Sequence, residues 1–411
     1  MSRVTSWGAA VLLGLASPAP GQEPWPQWRG PARDGVVEDL SLRASWPARL
    51  ERMWSVPVGE GHASPVTDGQ RAYVFSRAGD TEQVLGIDLD SGAVVWRRSY
   101  PAPYEVHPAA RSHGPGPKAT PALAGGRLYT LGIDGMLSCF DAASGTLVWQ
   151  ESFDGEFPRT SPTYGAAASP IAIGGALIAA VGGSGDGALV AVEPSSGERR
   201  WTWRGEGPGY ASPVAVALDG VEQVVTQTES RVLGVALEDG RLLWSVPLRT
   251  PYDQNAVTPV VSDGIVVYSG LDQGIRAVRP RRGPGGWRLE PVWSVDEASL
   301  YMSSPVLAEG TLYGLSHRRN GQYFAVNAEN GALLWTSPGR QAENAALLAG
   351  AGVLLALTDA AELLLAEVSR DAFTPVASYT VADAATWAHP APVPGGFLVR
   401  DASTLARWRL P

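Results

Sequence analysis

The side chains that could do chemistry are spread thinly along this chain. There are five histidines, His62, His107, His113, His317 and His389, and a single cysteine, Cys139. Imidazole is a common metal ligand, but no His-x-His or His-x₃-His spacing occurs. A histidine metal site would have to be assembled in space from three of His62, His113, His317 and His389. Cys139 lies in the apolar stretch MLSCF, which reads as an interior strand, so its thiol is expected to be buried and inert. No nucleophile elbow accompanies it. The segment GGSGDG (182–187) has the composition of a phosphate loop but lacks the Lys-Ser/Thr pair and the following helix. Asp80, Asp134, Asp186, Glu229, Asp272 and Asp359 sit in short loops, where aspartate is a turn residue before it is anything else. A more coherent set is Lys118, Arg159, Tyr164, Tyr210, Asp253, Asn255, Tyr301, Glu343, Asn344 and Trp387, with His62, His113 and His389. These cations, acids, amides and aromatics recur at one place in a repeated unit, and they are the types that line a ligand-binding mouth.

The repeated unit is explicit. IDLDSGAVVW (87–96) returns as FDAASGTLVW (140–149), VEPSSGERRW (192–201), VALEDGRLLW (235–244) and VNAENGALLW (326–335). The tryptophans Trp54, Trp96, Trp149, Trp201, Trp244, Trp293 and Trp335 follow one another at 42, 53, 52, 43, 49 and 42 residues. Tyr379 stands where another is due. A period of about 40–50 residues with four strands per unit is that of a propeller blade. Residues 119–150 show the four strands: TPAL, RLYTLG, MLSCFD and TLVWQ, separated by Gly-Gly, Asp-Gly and Ser-Gly turns. Glycine supplies the positive φ such turns need. The tryptophans are assigned a structural role, docking one blade on the next from an outer strand.

Counting these units predicts an all-β chain folded as an eight-bladed β-propeller of four-stranded antiparallel blades. The C-terminal tail holds three strands, and the lone early strand RMWSVPV (52–58) supplies the fourth, closing the ring without an open edge. The expected organisation is a signal peptide over 1–21, an extended arm over 22–50 packed on the propeller, and the propeller over 51–411. Strand parity puts the fourth-to-first and second-to-third connections on one face. That face receives the long individual segments 97–118 and 151–165 and all five histidines. The opposite face has short, monotonous turns, with one exception in RPRRGPGGWRLEP (279–291). Function is therefore expected on the loop-rich face around the central channel.

The bulk properties narrow the partners. A net charge of −9 and 41 acidic against 32 basic residues argue against nucleic acid and anionic membrane surfaces. Arg3, the apolar run WGAAVLLGLA (7–16) and the small residues 19–21 predict export to the periplasm or medium, with no lipidated cysteine and no membrane span. One cysteine excludes a disulfide within the chain. A monomer is expected.

The Asp-x-x-Ser-Gly-x-x-x-Trp units resemble the tryptophan-docking repeats of the quinoprotein alcohol dehydrogenase-like eight-bladed propellers. That superfamily holds both pyrroloquinoline quinone (PQQ) dehydrogenases and the non-enzymatic propeller lipoprotein of the outer-membrane barrel-assembly machinery. WPQWRGPARDGV (25–36) followed by GHASPV (61–66) is similar to a secreted branch of PQQ-like repeat proteins. The resemblance implies two functions. A PQQ and calcium-dependent alcohol or sugar dehydrogenase would hold calcium through carboxylate and amide oxygens, for which Asp253, Asn255, Glu343 and Asn344 are candidates by type, with Lys118 or Arg159 as the polarising cation. Against it, the adjacent-cysteine disulfide of many such enzymes is impossible here, and the insertions that roof the cofactor are missing. The favoured expectation is a non-catalytic binding or scaffolding module, without cofactor, for a protein or glycan in the cell envelope.

Overall fold

The computed structural model describes residues 24–410. The expected signal peptide falls outside them. Eight antiparallel four-stranded blades follow one another around a central channel, and blade seven gains a fifth, parallel strand from the N-terminal arm. Blade one comprises Val66–Thr67, Arg71–Ala78, Thr81–Asp88 and Val94–Pro101. Blade two runs from Ala122 to Glu151, three from Ile171 to Arg204, four from Val214 to Pro247 and five from Val260 to Val295. Blade six runs from Val306 to Thr336 and blade seven from Ala345 to Thr380. Blade eight is built from Ala391–Val393, Gly396–Arg400 and Thr404–Arg409, and its outer strand is Glu51–Pro57 from the N-terminal side. The chain is thus an eight-bladed propeller closed by its own early strand.

Sheet packing explains the burial. Second and third strands such as Ala176–Gly183 are buried along their length, because each blade is covered on both faces by its neighbours. Outer strands such as Val94–Pro101 alternate, burying Trp96 and Tyr100 and exposing the residues between. Core clusters accordingly lie between blades; Phe75 and Val84 of blade one meet Leu128 and Phe140 of blade two.

Each docking tryptophan follows a one-residue bulge. Gly86 pairs with Trp96 and Ile87 with Val94, so Val95 is left unpaired. The same shift precedes Trp149, Trp201, Trp244, Trp293 and Trp335, and occurs before Trp54 at Met53. A bulge bends the strand and re-aims the next side chain, here toward the following blade.

 The indole Nε1 of Trp54 donates to Leu89 O, that of Trp96 to Ala142 O, Trp149 to Pro194 O, Trp201 to Leu237 O, Trp293 to Ala328 O and Trp335 to Ser369 O. The glycine of the next Ser-Gly-type turn lies flat under the ring: a Cβ on Gly145 would come within 2.5 Å of Trp96.

Two units depart from the pattern, each for a visible reason. Trp244 donates instead to Gln223 Oε1 of its own blade, at 2.6 Å. The blade that should receive it carries the long hairpin Ile275–Gly283 and Gly286–Val295 in place of the short glycine turn. In blade seven the residue after the bulge is Ala377, not Tyr379, which lies two positions on. The expected position of the eighth marker is corrected by those two residues. No Ser-Gly turn follows blade seven, because the outer strand of blade eight arrives from residues 46–50. Tyr379 accordingly donates its hydroxyl to Pro47 O at 2.8 Å.

Candidate functional site

The N-terminal arm occupies the channel. Trp25 O accepts from Thr67 of blade one and Pro26 O from Leu123 of blade two. Trp28 Nε1 donates to Thr258 Oγ1 at the entrance to blade five, and its ring packs tilted against His389 at blade eight, 4.2 Å between centroids. Arg29 reaches Pro305 O before blade six, while Arg33 reaches Ser169 O and Pro170 O before blade three, both at 2.9 Å. The strand Val36–Ser41 then adds in parallel to Ala345–Ala351, the innermost strand of blade seven. Seven of the eight blades are therefore tied to one short peptide. Arg29 and Arg33 are both buried and both adopt a left-handed φ, near 58° and 60°. Such a backbone costs of order 1 kcal/mol per residue and persists only where its surroundings fix it. Burial lowers both guanidinium pKa values, to about 10 and about 9, and leaves both cationic at neutral pH.

Above the arm, on the loop-rich face, a cavity of about 170 Å³ opens at the channel mouth. Trp28 is its floor. His62, His113, Lys118, Tyr164, Tyr210 and Trp387 stand around it. The long connection 97–118 delivers His113 and Lys118, and 151–165 delivers Tyr164. The loop 61–63 is held to that first connection by two backbone bonds onto Pro117 O. His62 Nε2 donates to His113 O at 3.0 Å, which leaves Nδ1 as an acceptor. Burial pushes the His62 pKa down to about 4, with Arg400 and Lys118 acting in the same direction. His113 is lowered too, by burial and then by Lys118. Lys118 donates to Tyr164 O, and burial alone takes its pKa down to about 8. Tyr164 N in turn donates to Tyr210 Oη at 3.3 Å. The rings of His113 and Trp387 meet edge to face at 5.1 Å.

A girdle of hydroxyls fixes the positions of these loops. His389 N donates to Ser64, Ser64 N to Thr120, Thr120 N to Ser169 and Ser169 N to Ser212, each across a blade boundary. Thr258 N to Ser304 continues it on the far side. The signal is present in the sequence as a recurring Ser-Pro or Thr-Pro before six of the eight inner strands, at Ser64, Thr120, Ser169, Ser212, Thr258 and Ser304. Sequence reasoning passed over these hydroxyls, and over the arm residues Trp28, Arg29 and Arg33 that they surround.

The PQQ_2 family, described as outer membrane protein assembly factor BamB, matches residues 80–337, more than half of the chain. The chain belongs to this family. The matched span runs from blade one to the end of blade six. BamB of Yersinia pestis is 23% identical over 303 residues, covering 69% of this chain and 70% of that protein. The crystal structure of BamB from Moraxella catarrhalis superposes with a TM-score of 0.63 at 14% identity, over 88% of this chain and 98% of that one. Quinohemoprotein alcohol dehydrogenase from Comamonas testosteroni superposes with a TM-score of 0.65 at 14% identity, over 94% of this chain and 80% of that one. At such identities the two structures show a shared fold.

The remaining predicted residues of this BamB-family chain do not converge on the mouth cavity. Asp253 lies exposed on the turn Pro251–Asp253. Asn255 is fully buried and fully used: its amide donates to Thr228 O and Leu248 O at 2.8 Å, and its oxygen accepts from Thr250. Glu343 is exposed. Asn344 donates its backbone N–H to Asp359, leaving its own side-chain oxygen buried without a partner. Arg159 packs over Gly183 of blade three. Tyr301 donates to Gln254 at the cavity edge, and His389 lies beneath Trp28. Trp28, in place of a carboxylate, fills the centre. Among the described residues no group of three or more His, Cys, Asp or Glu is arranged to hold a metal. Of the four donors proposed for calcium, Asp253 and Glu343 are exposed, the Asn255 amide is committed to structural bonds and only the Asn344 oxygen is without a partner; none of them lines the mouth cavity, and the set does not fit a calcium-held quinone. Cys139 is buried, and burial raises its thiol pKa to about 11. A larger groove of about 660 Å³ lies on the opposite face beside the blade-five hairpin, away from these residues.

Proposed function

We propose that the protein is an exported, non-catalytic propeller of the cell envelope that binds a protein or glycan partner through its loop-rich face. The observation that carries this reading is the filled channel. Trp28, Arg29 and Arg33 occupy the space where a propeller would otherwise admit a ligand, and leave only a shallow aromatic mouth between long loops. Family membership supports it, because the relatives are named as assembly factors of the outer membrane. No helix among the described residues is long and apolar enough to cross a membrane. Loops on a rigid scaffold are suited to recognition, and the girdle and the axle-like arm make this scaffold rigid.

The test is site-directed cross-linking in cells. A photoreactive residue at Tyr104, Arg159 or Glu343 on the loop-rich face is expected to capture one specific envelope partner. The same residue at Gly126, Gly175 or Gly264, in turns of the opposite face, is expected to capture none. Equal capture from both faces, or dye-linked alcohol oxidation by the purified chain with PQQ and calcium, would overturn the reading.

A further inference from the structure

The mouth cavity has a charge imbalance. Lys118 is half-buried, its ammonium donates to the carbonyl of Tyr164, and among the described residues no carboxylate forms an ion pair with it. A buried charge is normally paired. The walls around it are apolar and aromatic: Trp28, Trp387, Tyr164 and Met302. Gln254 accepts from Tyr301 through its carbonyl oxygen, so its NH₂ remains a donor at the same wall. The polar groups left over are therefore mainly donors, one of them cationic. A cationic ligand is repelled by Lys118, and a sugar would leave most of its hydroxyls unpaired here. The volume also selects. A cavity of about 150 Å³ takes one benzene ring, and this one measures about 170 Å³.

We propose that the mouth cavity binds a carboxylate carried on a single flat apolar group, with Lys118 holding the carboxylate and the indoles of Trp28 and Trp387 packing against the ring. Two sources share this chemistry: a free aromatic acid, and the C-terminal residue of a polypeptide entering end-on. The inference rests on the reading that the loop-rich face is the binding face, and it names what the centre of that face accepts. The titratable groups facing Lys118 are His62, His113, Tyr164 and Tyr210. Both histidines are held neutral by burial, and burial raises the Tyr210 phenol well above its ordinary value, so between pH 7 and 9.5 the charge of the site changes at Lys118.

Calorimetric titration of the full mature chain with benzoate and with benzamide tests this. At pH 7 benzoate is expected to bind at least about tenfold more tightly than its uncharged counterpart. Raising the pH to 9.5 is expected to weaken benzoate about tenfold and leave benzamide unchanged, since Lys118 loses its proton near pH 8. Lys118→Met should abolish the preference and Lys118→Arg should keep most of it; if neither variant folds, the pH series on the native chain decides. Gly-Gly-Tyr against its C-terminal amide separates the sources: stronger binding of the free-acid peptide than of benzoate identifies a polypeptide end, and weaker binding identifies a free acid. Equal binding of benzoate and benzamide, a pH-independent benzoate affinity, or no binding of either overturns the inference. None of these results alters the cross-linking pattern expected of the whole face, so the two readings fail separately.

Discussion

At the scale of single residues, the tryptophan and the glycine opposite it behave as one part. Trp149→Phe keeps the ring but removes the bond from Nε1 to Pro194 O at 2.9 Å. The expected loss is about 1 kcal/mol in a denaturant titration, the net worth of one such bond. Gly145→Ala should cost more, about 1–3 kcal/mol, because its Cβ meets the Trp96 ring at 2.5 Å and its φ of 71° disfavours any other residue. A second residue-scale prediction concerns pH. Glu82 is buried between blades one and two, accepting from Tyr100 at 2.6 Å and from Ile133 N at 2.8 Å, and burial raises its pKa to about 7. The folded state thus holds a proton that the unfolded chain has released. Its contribution is complete below about pH 4.5 and is lost as pH rises through about 7, with a slope of at most about 1.4 kcal/mol per unit. His62, neutral in the fold with a pKa near 4, acts in the opposite sense and costs stability as pH falls below 6.5. Between about pH 4.5 and 6.5 the two therefore oppose each other, and Glu82→Gln should make stability rise more steeply with pH across that range than it does in the native chain. The docking tryptophans were legible in the sequence because repetition marks them. Asn255 was not: its residue type suggests a ligand, and only the fold reveals that all its hydrogen bonds are taken.

At the scale of elements, the arm is the part that the sequence left least determined. Its twelve-residue run WPQWRGPARDGV has no alternation and no period, so neither strand nor helix rules apply to it. What places it is the geometry of the hole it fills, which exists only once eight blades have closed. By contrast, every four-stranded blade was readable from turn glycines and strand periodicity, and so was the borrowed strand of blade eight. The one-residue bulge before each tryptophan was not, since it is defined by partners on another strand. The arm's arginines offer a contrast that tests its role. Arg33→Ala strands the carbonyls of Ser169 and Pro170 and leaves a hole, and is expected to cost about 3 kcal/mol or more. Arg33→Met refills much of the hole and removes the charge with its desolvation cost, so its loss should be smaller. Unfolding midpoints of the two variants, compared at one pH, check this order. If Ala and Met are equally damaging, the carbonyl contacts outweigh the packing.

At the scale of the whole molecule, the ring closes through one junction whose chemistry differs from the rest. Continuous chain joins neighbouring blades all round, blade eight to blade one through residues 58–65, and the ring is shut within blade eight, where the two ends of the propeller pair. Blades eight and one are also joined by Arg400, fully buried, whose Nη1 donates to Ala63 O and Phe75 O at 2.7 Å each. The strand Thr404–Arg409 completes the closure by pairing with Glu51–Pro57 on one side and Gly396–Arg400 on the other. In a linear array of repeats each unit leans only on its neighbours, and stability can be lost piecemeal from an end. A closed ring has no end, so it should unfold in a single transition. Arg400→Ala removes the guanidinium donor from two carbonyls at the boundary between blade eight, where the ring is shut, and blade one, and is expected to cost about 3–5 kcal/mol. More telling than the size of that loss is its form. If closure is what couples the blades, hydrogen exchange in the variant should rise first in blades eight and one, ahead of blade four on the far side of the ring. A uniform rise across all blades would mean that the central arm, which is anchored to seven of them, is sufficient to hold the ring together after the junction is weakened.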